Sequence, residues 1–189
     1  MTSAADAGTE SALARARAGD EAAFAELVRR HQAMVYSIAW HYLRHRDVAE
    51  EVAQDTFLHL FRNLDHLESD AHVESWLRRV VVHRAIDQTR RARYRPWTGL
   101  EHTPEPTQSS PPADPWLRDL LARLVAALPG RARMLVILRY QEGLEPADIA
   151  ALLALPVGTV KSGLPRALAL LRGKIRRETA AHPVTEARR

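Results

Sequence analysis

Apolar residues recur at steps of three and four along most of this 189-residue chain, and that period predicts helices throughout. Phe24, Leu27, Val28, His31, Met34, Val35, Ile38 and Tyr42 form the stripe of a long amphipathic helix that Asp20 can cap and that runs to about Leu43. Asp47, followed by Glu50 three residues later, looks like a capping-box start. Val48, Val52, Phe57, Leu60, Phe61 and Leu64 then predict a second helix, with Glu50, Glu51, Gln54 and Asp55 on its other side. The period lapses between Arg62 and Ala71, which predicts a loop, and Asp70 is positioned to cap a third helix. Val73, Trp76, Leu77, Val80, Val81 and Arg84 share one face of this helix, and Arg79, His83, Ile86 and Arg90 another. The apolar face is expected to pack on the first two helices and leave the basic face free.

The next stretch, RPWTGLEHTPEPTQSSPPADP, holds six of the eleven prolines and sustains neither helix nor strand. It predicts a flexible linker over 96–114 with a reach of roughly 60 Å at ~3.1 Å per residue, dividing a first domain, 1–95, from a second, 115–177, and leaving a tail, 178–189. Leu117, Leu120, Leu121, Leu124 and Leu128 predict a helix ending at Pro129-Gly130, and Met134, Ile137, Leu138 and Tyr140 another ending at Gly143. Pro146 suits a first helical turn ahead of Ile149, Leu152 and Leu153, and a last helix follows Pro156 with Val160, Leu164, Ala167 and Leu171 inward. No strand pattern and no long repeat is visible, so the expected fold class is all-α, two small helical domains.

Charge changes this picture more than composition does. Residues 1–75 carry a net charge of −6, residues 76–95 one of +6 and residues 96–189 one of +4. The overall +4 therefore hides a polarised chain, and its basic centre, WLRRVVVHRAIDQTRRARYR, places seven arginines beside Trp76 and Tyr94. Arginines interleaved with aromatic rings suit a polyanion that also offers bases to stack on. Absence of cysteine excludes disulfides, thiolate zinc sites and thiol nucleophiles. The N-terminal MTSAADAGTE lacks the basic and apolar regions of a signal peptide, and no apolar run approaches a bilayer span, so a cytoplasmic protein without membrane insertion is expected.

Candidate chemistry narrows to binding. His41 and His45 are spaced as a helical metal pair with Asp47 close by, but a third ligand and an intervening Glu are missing. No nucleophile elbow, phosphate-binding glycine loop or clustered carboxylate pair is present, so neither a catalytic residue, a metal nor a cofactor is expected, and the protein is not read as an enzyme. By contrast, LEPADIAALLALPVGTVKSGLPRALALLR has the spacing of a helix-turn-helix, with a turn near Leu155-Pro156 and a polar first turn, Gly158-Thr159-Val160-Lys161-Ser162, on the second helix. Hydroxyls, an ammonium and free backbone N–H groups are what phosphates and base edges require.

These blocks together carry a family resemblance. AGDEAAFAELVRRH, DVAEEVAQDTFLHLF, WLRRVVVHRAIDQTRR, a variable linker and LPGRARMLVILRYQEGLEPADIAALLALPVGTVKS, in that order, resemble a bacterial extracytoplasmic-function sigma factor over residues 18–172. The resemblance implies a protein that binds core RNA polymerase, through the β′ clamp helices and the β flap, and directs promoter recognition and melting. It implies core-polymerase contacts at Glu51, Gln54, Asp55 and Phe57. It implies contacts to the promoter minus-ten element at Trp76, Arg78, Arg79, His83, Arg84, Ile86, Arg90 and Arg91, and to the minus-thirty-five element at Thr159, Lys161, Ser162 and Arg166. An anti-sigma factor as partner and a monomer in the free state are further expectations.

Several positions depart from the family pattern. Where its recognition helix commonly reads GTVKSRLHRAR, this chain has Gly163, Pro165 and Leu168 in place of Arg, His and Arg. Glycine in a helix interior costs about 1 kcal/mol, and proline, which removes a hydrogen bond, about 3 kcal/mol. The apolar register continues across Pro165, so a kinked rather than a terminated helix is expected, with weakened minus-thirty-five binding. Ala154 replaces the usual turn glycine, and Glu145 a Ser/Thr cap. On sequence alone a stand-alone helix-turn-helix regulator and a diverged sigma paralogue remain as other readings.

Overall fold

The computed structural model describes residues 11–92 and 115–181, and within them the side chains of 11–92 and 119–178. The proline-rich linker, Arg93, Tyr94, Arg95 and most of the C-terminal tail lie outside the described residues. Among the described residues every regular element is helical.

Four helices form the first half: α1 (Ala12–Arg17), α2 (Glu21–Leu43), α3 (Arg46–Phe61) and α4 (Asp70–Ala92). Asp20 caps α2 as expected, its carboxylate accepting from the amides of Ala22 and Ala23 at 2.9 and 3.1 Å. The short α1 was not anticipated, because six residues give too little period to read. It is held by the Ser11 side chain accepting from Ala14 N–H, by the buried Leu13, and by Arg17 donating to the Leu64 carbonyl at 3.0 Å.

Two expected caps are corrected. His45, not Asp47, precedes α3, and Asp47 lies in the first turn, where its charge faces the positive end of the helix dipole. The reciprocal contact expected of Glu50 is replaced by a surface ion pair to Arg46 at 2.8 Å. The helix stops at Phe61, short of Leu64, which sits instead in a 3-10 turn, Leu64–His66. At α4 the cap is Ser69: its hydroxyl accepts from His72 N–H at 3.1 Å, while Asp70 turns away to Arg30 of α2 at 2.7 Å.

The second half comprises α5 (Pro115–Ala126), α6 (Gly130–Tyr140), α7 (Pro146–Leu153) and α8 (Val157–Ala181). Helix α8 continues through Pro165, so the helix is not terminated there. The expected division into two domains takes a specific form, because both halves share one core. Leu27, Val35, Ile38, Leu77 and Val81 belong to the same buried cluster as Met134, Leu135, Ile149 and Leu164.

The seam between the halves joins α2 and α4 to α5, α6 and α7. At its centre Arg133 of α6 donates to the Tyr42 carbonyl at 2.7 Å and lies over the Tyr42 ring, 5.6 Å from its centroid. Gly130 opens α6 directly against this ring, and a Cβ there would meet the Tyr42 hydroxyl at 2.9 Å. Any side chain at this position would force the Tyr42 ring to shift.

Candidate nucleic-acid interface

The eight arginine-helix residues expected to meet the minus-ten element do not share one face of α4. Arg79, His83, Arg90 and Arg91 are all exposed, in a stripe that also carries Ser75 and Asp87. His83 Nδ1 lies 2.7 Å from the Arg79 carbonyl, and Arg90 pairs with Asp87 at 3.4 Å. Arg84 is half-buried at the edge of this stripe, where its guanidinium donates to Asp55 of α3 at 2.9 Å. Trp76 stacks on His59, centroids 5.2 Å apart at 13°.

Arg78 and Ile86 turn towards the second half instead. Arg78, 21% exposed, bonds Glu74 at 2.6 Å and faces Glu142 at 4.0 Å. Ile86 packs on the shared core and lines a seam cavity of about 300 Å³ with Tyr42, Met134, Leu153 and Leu155. Period alone groups Ile86 with His83 and Arg79, since residues three and seven apart lie close on a helix. Packing decides that the boundary of the exposed face runs between them.

On α3 the exposed stripe is Glu50, Glu51, Gln54, Asp55, Leu58 and Phe61. Phe57, the aromatic anchor expected here, is partly buried against the core. The exposed apolar groups are Leu58 and Phe61, at 46% and 59%, and Phe61 meets Phe24 edge-on at 5.2 Å. The spacing could have found them, because 51, 54, 55, 58 and 61 follow one helical stripe. An open groove of about 420 Å³ separates this surface from the basic one, lined by Glu51, Asp55 and His59 on one side and Arg79, His83 and Arg91 on the other.

In the second half the chain bends by 109° between Pro146–Leu153 and Val157–Glu178, within the range of helix-turn-helix units. Ala154 makes the turn in the left-handed region, φ 51°. Glu145 precedes α7 without a side-chain cap and pairs with Arg139 at 2.7 Å. Lys161, Ser162 and Arg166 are exposed together on α8, whereas Thr159 is half-buried one turn earlier. Gly163 faces inward: a Cβ there would lie 2.8 Å from Leu135 Cδ1, so the missing side chain accommodates α6.

Burial shifts the pKa of two groups near these surfaces. It pushes Glu142 above the usual carboxylate range, an effect opposed by Arg78 and by a hydrogen bond with Ser37 and reinforced by Glu74. It holds His31, in the core of α2, below the usual imidazole value. Among the described residues no group of three or more His, Asp or Glu side chains could hold a metal ion. No single helix among them is long and apolar enough to cross a membrane.

The helical halves coincide with two known families. Residues 27–95 match sigma-70 region 2 and residues 118–171 match sigma-70, region 4. The ECF RNA polymerase sigma factor SigM of Mycobacterium tuberculosis is 33% identical over 84% of this chain and 80% of its own length. The ECF RNA polymerase sigma-E factor of Salmonella typhimurium is 30% identical over 85% and 91%. Among solved structures, CnrH in complex with the cytosolic domain of CnrY superposes with a TM-score of 0.64 at 25% identity, covering 88% of this chain and 96% of the other. With both sigma regions matched in order and their helices folded as described, this chain belongs to the ECF RNA polymerase sigma factors.

Proposed function

We propose that this sigma factor docks on core polymerase through the exposed face of α3 and delivers the basic face of α4 to the minus-ten element. The observation that carries the reading is the adjacency of two opposite surfaces: an acidic stripe, Glu50, Glu51 and Asp55 with the neutral Gln54 among them, flanked by exposed Leu58 and Phe61, and an arginine stripe across one groove. Acidic residues beside apolar anchors suit a basic protein partner such as the β′ clamp helices. Arg79, Arg90 and Arg91 suit a melted strand, because neutralising single-strand phosphates releases counterions with a log–log salt slope of about −0.7 per phosphate. Unstacking a base costs a few kcal/mol, offset by pocket and stacking contacts.

Serving both promoter elements requires the seam to open. Elements centred about 25 base pairs apart lie about 85 Å apart at ~3.4 Å per pair, whereas here α4 packs directly on α7. Arg78 and Ile86, now at the seam, become available to the minus-ten element only in the open form. The seam cavity also suits an apolar side chain from an anti-sigma factor, with Arg90 and Arg131 at its rim for acidic groups.

Run-off transcription with purified core enzyme tests the whole reading: the chain should direct initiation from discrete promoters, and duplex binding by the isolated chain with no effect of core enzyme would refute it. Changing Arg79 and Arg90 together to Ala should reduce open-complex formation with core affinity retained. Changing Gln54 and Asp55 should lower core affinity first.

A further inference from the structure

Along the outward side of α8, Val157, Lys161, Pro165 and Ala169 form one exposed ridge at four-residue spacing. Gly158, Ser162, Arg166 and Leu170 form the ridge beside it. The polar reach of this face is limited to Lys161, Ser162 and Arg166, because Gly163 has no side chain and points at Leu135. Apolar groups take the remaining positions, and Val157 is 40% exposed at the very start of the helix. Recognition helices present their N-terminal residues to base edges. At ~1.5 Å per residue, Ala169 and Leu170 lie about 18 Å from the start of α8, beyond a groove about 12 Å wide.

We propose that Val157 and Pro165 read thymine 5-methyl groups in the major groove of the upstream element, one on each side of a Lys161 contact. The inference rests on α8 being the helix that meets that element. The thymine methyl is the apolar feature a major groove offers, and an apolar side chain is its partner. Both side chains suit the role, since proline loses no rotamer freedom on docking and valine is stiff at χ1. Val157 and Pro165 are about 12 Å apart along the axis of α8, so both fall within the width of the groove. Lys161 and Arg166 supply the attraction to phosphate that holds the ridge in the groove.

The test uses holoenzyme assembled from core polymerase and the full chain, with a promoter recovered from random-sequence duplexes by that holoenzyme. The upstream thymines are replaced by deoxyuridine, which deletes the methyl and leaves every hydrogen-bonding edge intact. Footprint titration should show affinity weakened about threefold to fourfold per contacted methyl. Val157→Ser should weaken binding to the thymine template by a similar factor and lose the distinction between the two templates, and Pro165→Ser should do the same. Equal affinity of the unaltered chain for both templates overturns the proposal. If Lys161→Ala still weakens upstream protection in that case, the assignment of α8 survives without it. Absence of any upstream protection overturns both, and loss of core affinity in Val157→Ser with no template discrimination shows a protein-facing surface instead.

Discussion

The guanidinium of Arg133 donates to the carbonyl of Tyr42, 91 residues earlier, at 2.7 Å. Tyr42 belongs to the last turn of α2, where carbonyls have no partner within the helix. Arg133 also bonds the carbonyls of Ala126, at the end of α5, and of Leu128 just beyond it. One cation thus meets the negative ends of two helices, one from each half of the molecule, which is where a helix dipole favours it.

Replacing Arg133 by Ala leaves those carbonyls unpaired at the seam, at a cost of about 1–3 kcal/mol. Scattering in solution should show a larger radius of gyration, with a melting temperature lower by about 2–4 °C per kcal/mol. Arg133→Lys should be intermediate, since an ammonium cannot reproduce the fork that reaches both helix ends. An unchanged radius in the alanine variant would show that the apolar seam suffices.

Docking of the two halves is expected to depend on pH through Glu142. Its carboxyl is raised by burial at the seam, so the docked state holds the proton more tightly than an open one. The contribution to docking is fully present below the ordinary glutamate value and is lost as pH rises through the raised one. Distance measured by fluorescence transfer between labels on α3 and α8 should therefore lengthen as pH rises above the ordinary glutamate value. Glu142→Gln should flatten that dependence.

Ala154→Gly should stabilise the protein by roughly 0.5–1 kcal/mol. The left-handed conformation costs an alanine about 1–2 kcal/mol, less what glycine loses in chain entropy. Denaturant midpoints at an unchanged slope are the measurement, and a lower midpoint would contradict the expectation.

At Gly163 two effects oppose. Alanine gains about 1 kcal/mol of helix propensity but must displace the buried end of Leu135. Near-neutral stability is expected for Gly163→Ala, and a loss of about 1–3 kcal/mol for Gly163→Leu by overpacking. The glycine that reads as a flaw in the sequence is therefore matched to its neighbour.

Stability of the first half should also fall in mild acid. His31 is buried with its imidazole held below the ordinary value, so unfolding takes up a proton there. Its contribution is present above the ordinary imidazole value and is lost as pH falls below it. Thermal melts at neutral and mildly acidic pH should differ, and His31→Leu should reduce the difference.

Helices α2 and α5 to α8 were legible because period, prolines and glycines are local signals, and the charge reversal at Trp76 marked α4 before any packing was known. The order of blocks identified the family. What the sequence left open was decided by contacts between residues far apart in it. Whether Phe57 or Leu58 faces outward depends on how α3 rolls against α2 and α4, a choice of a fraction of a turn between neighbouring positions. Arg78 and Ile86 belong to the same basic helix as Arg79 and Arg90, yet Glu142 and Met134, brought there by the second half, turn them into seam residues. Local pattern sets which residues are helical and roughly which side is apolar, because backbone hydrogen bonds and side-chain period act within a few residues. Only tertiary packing decides which of several similar arginines stays exposed and which is drawn into the seam.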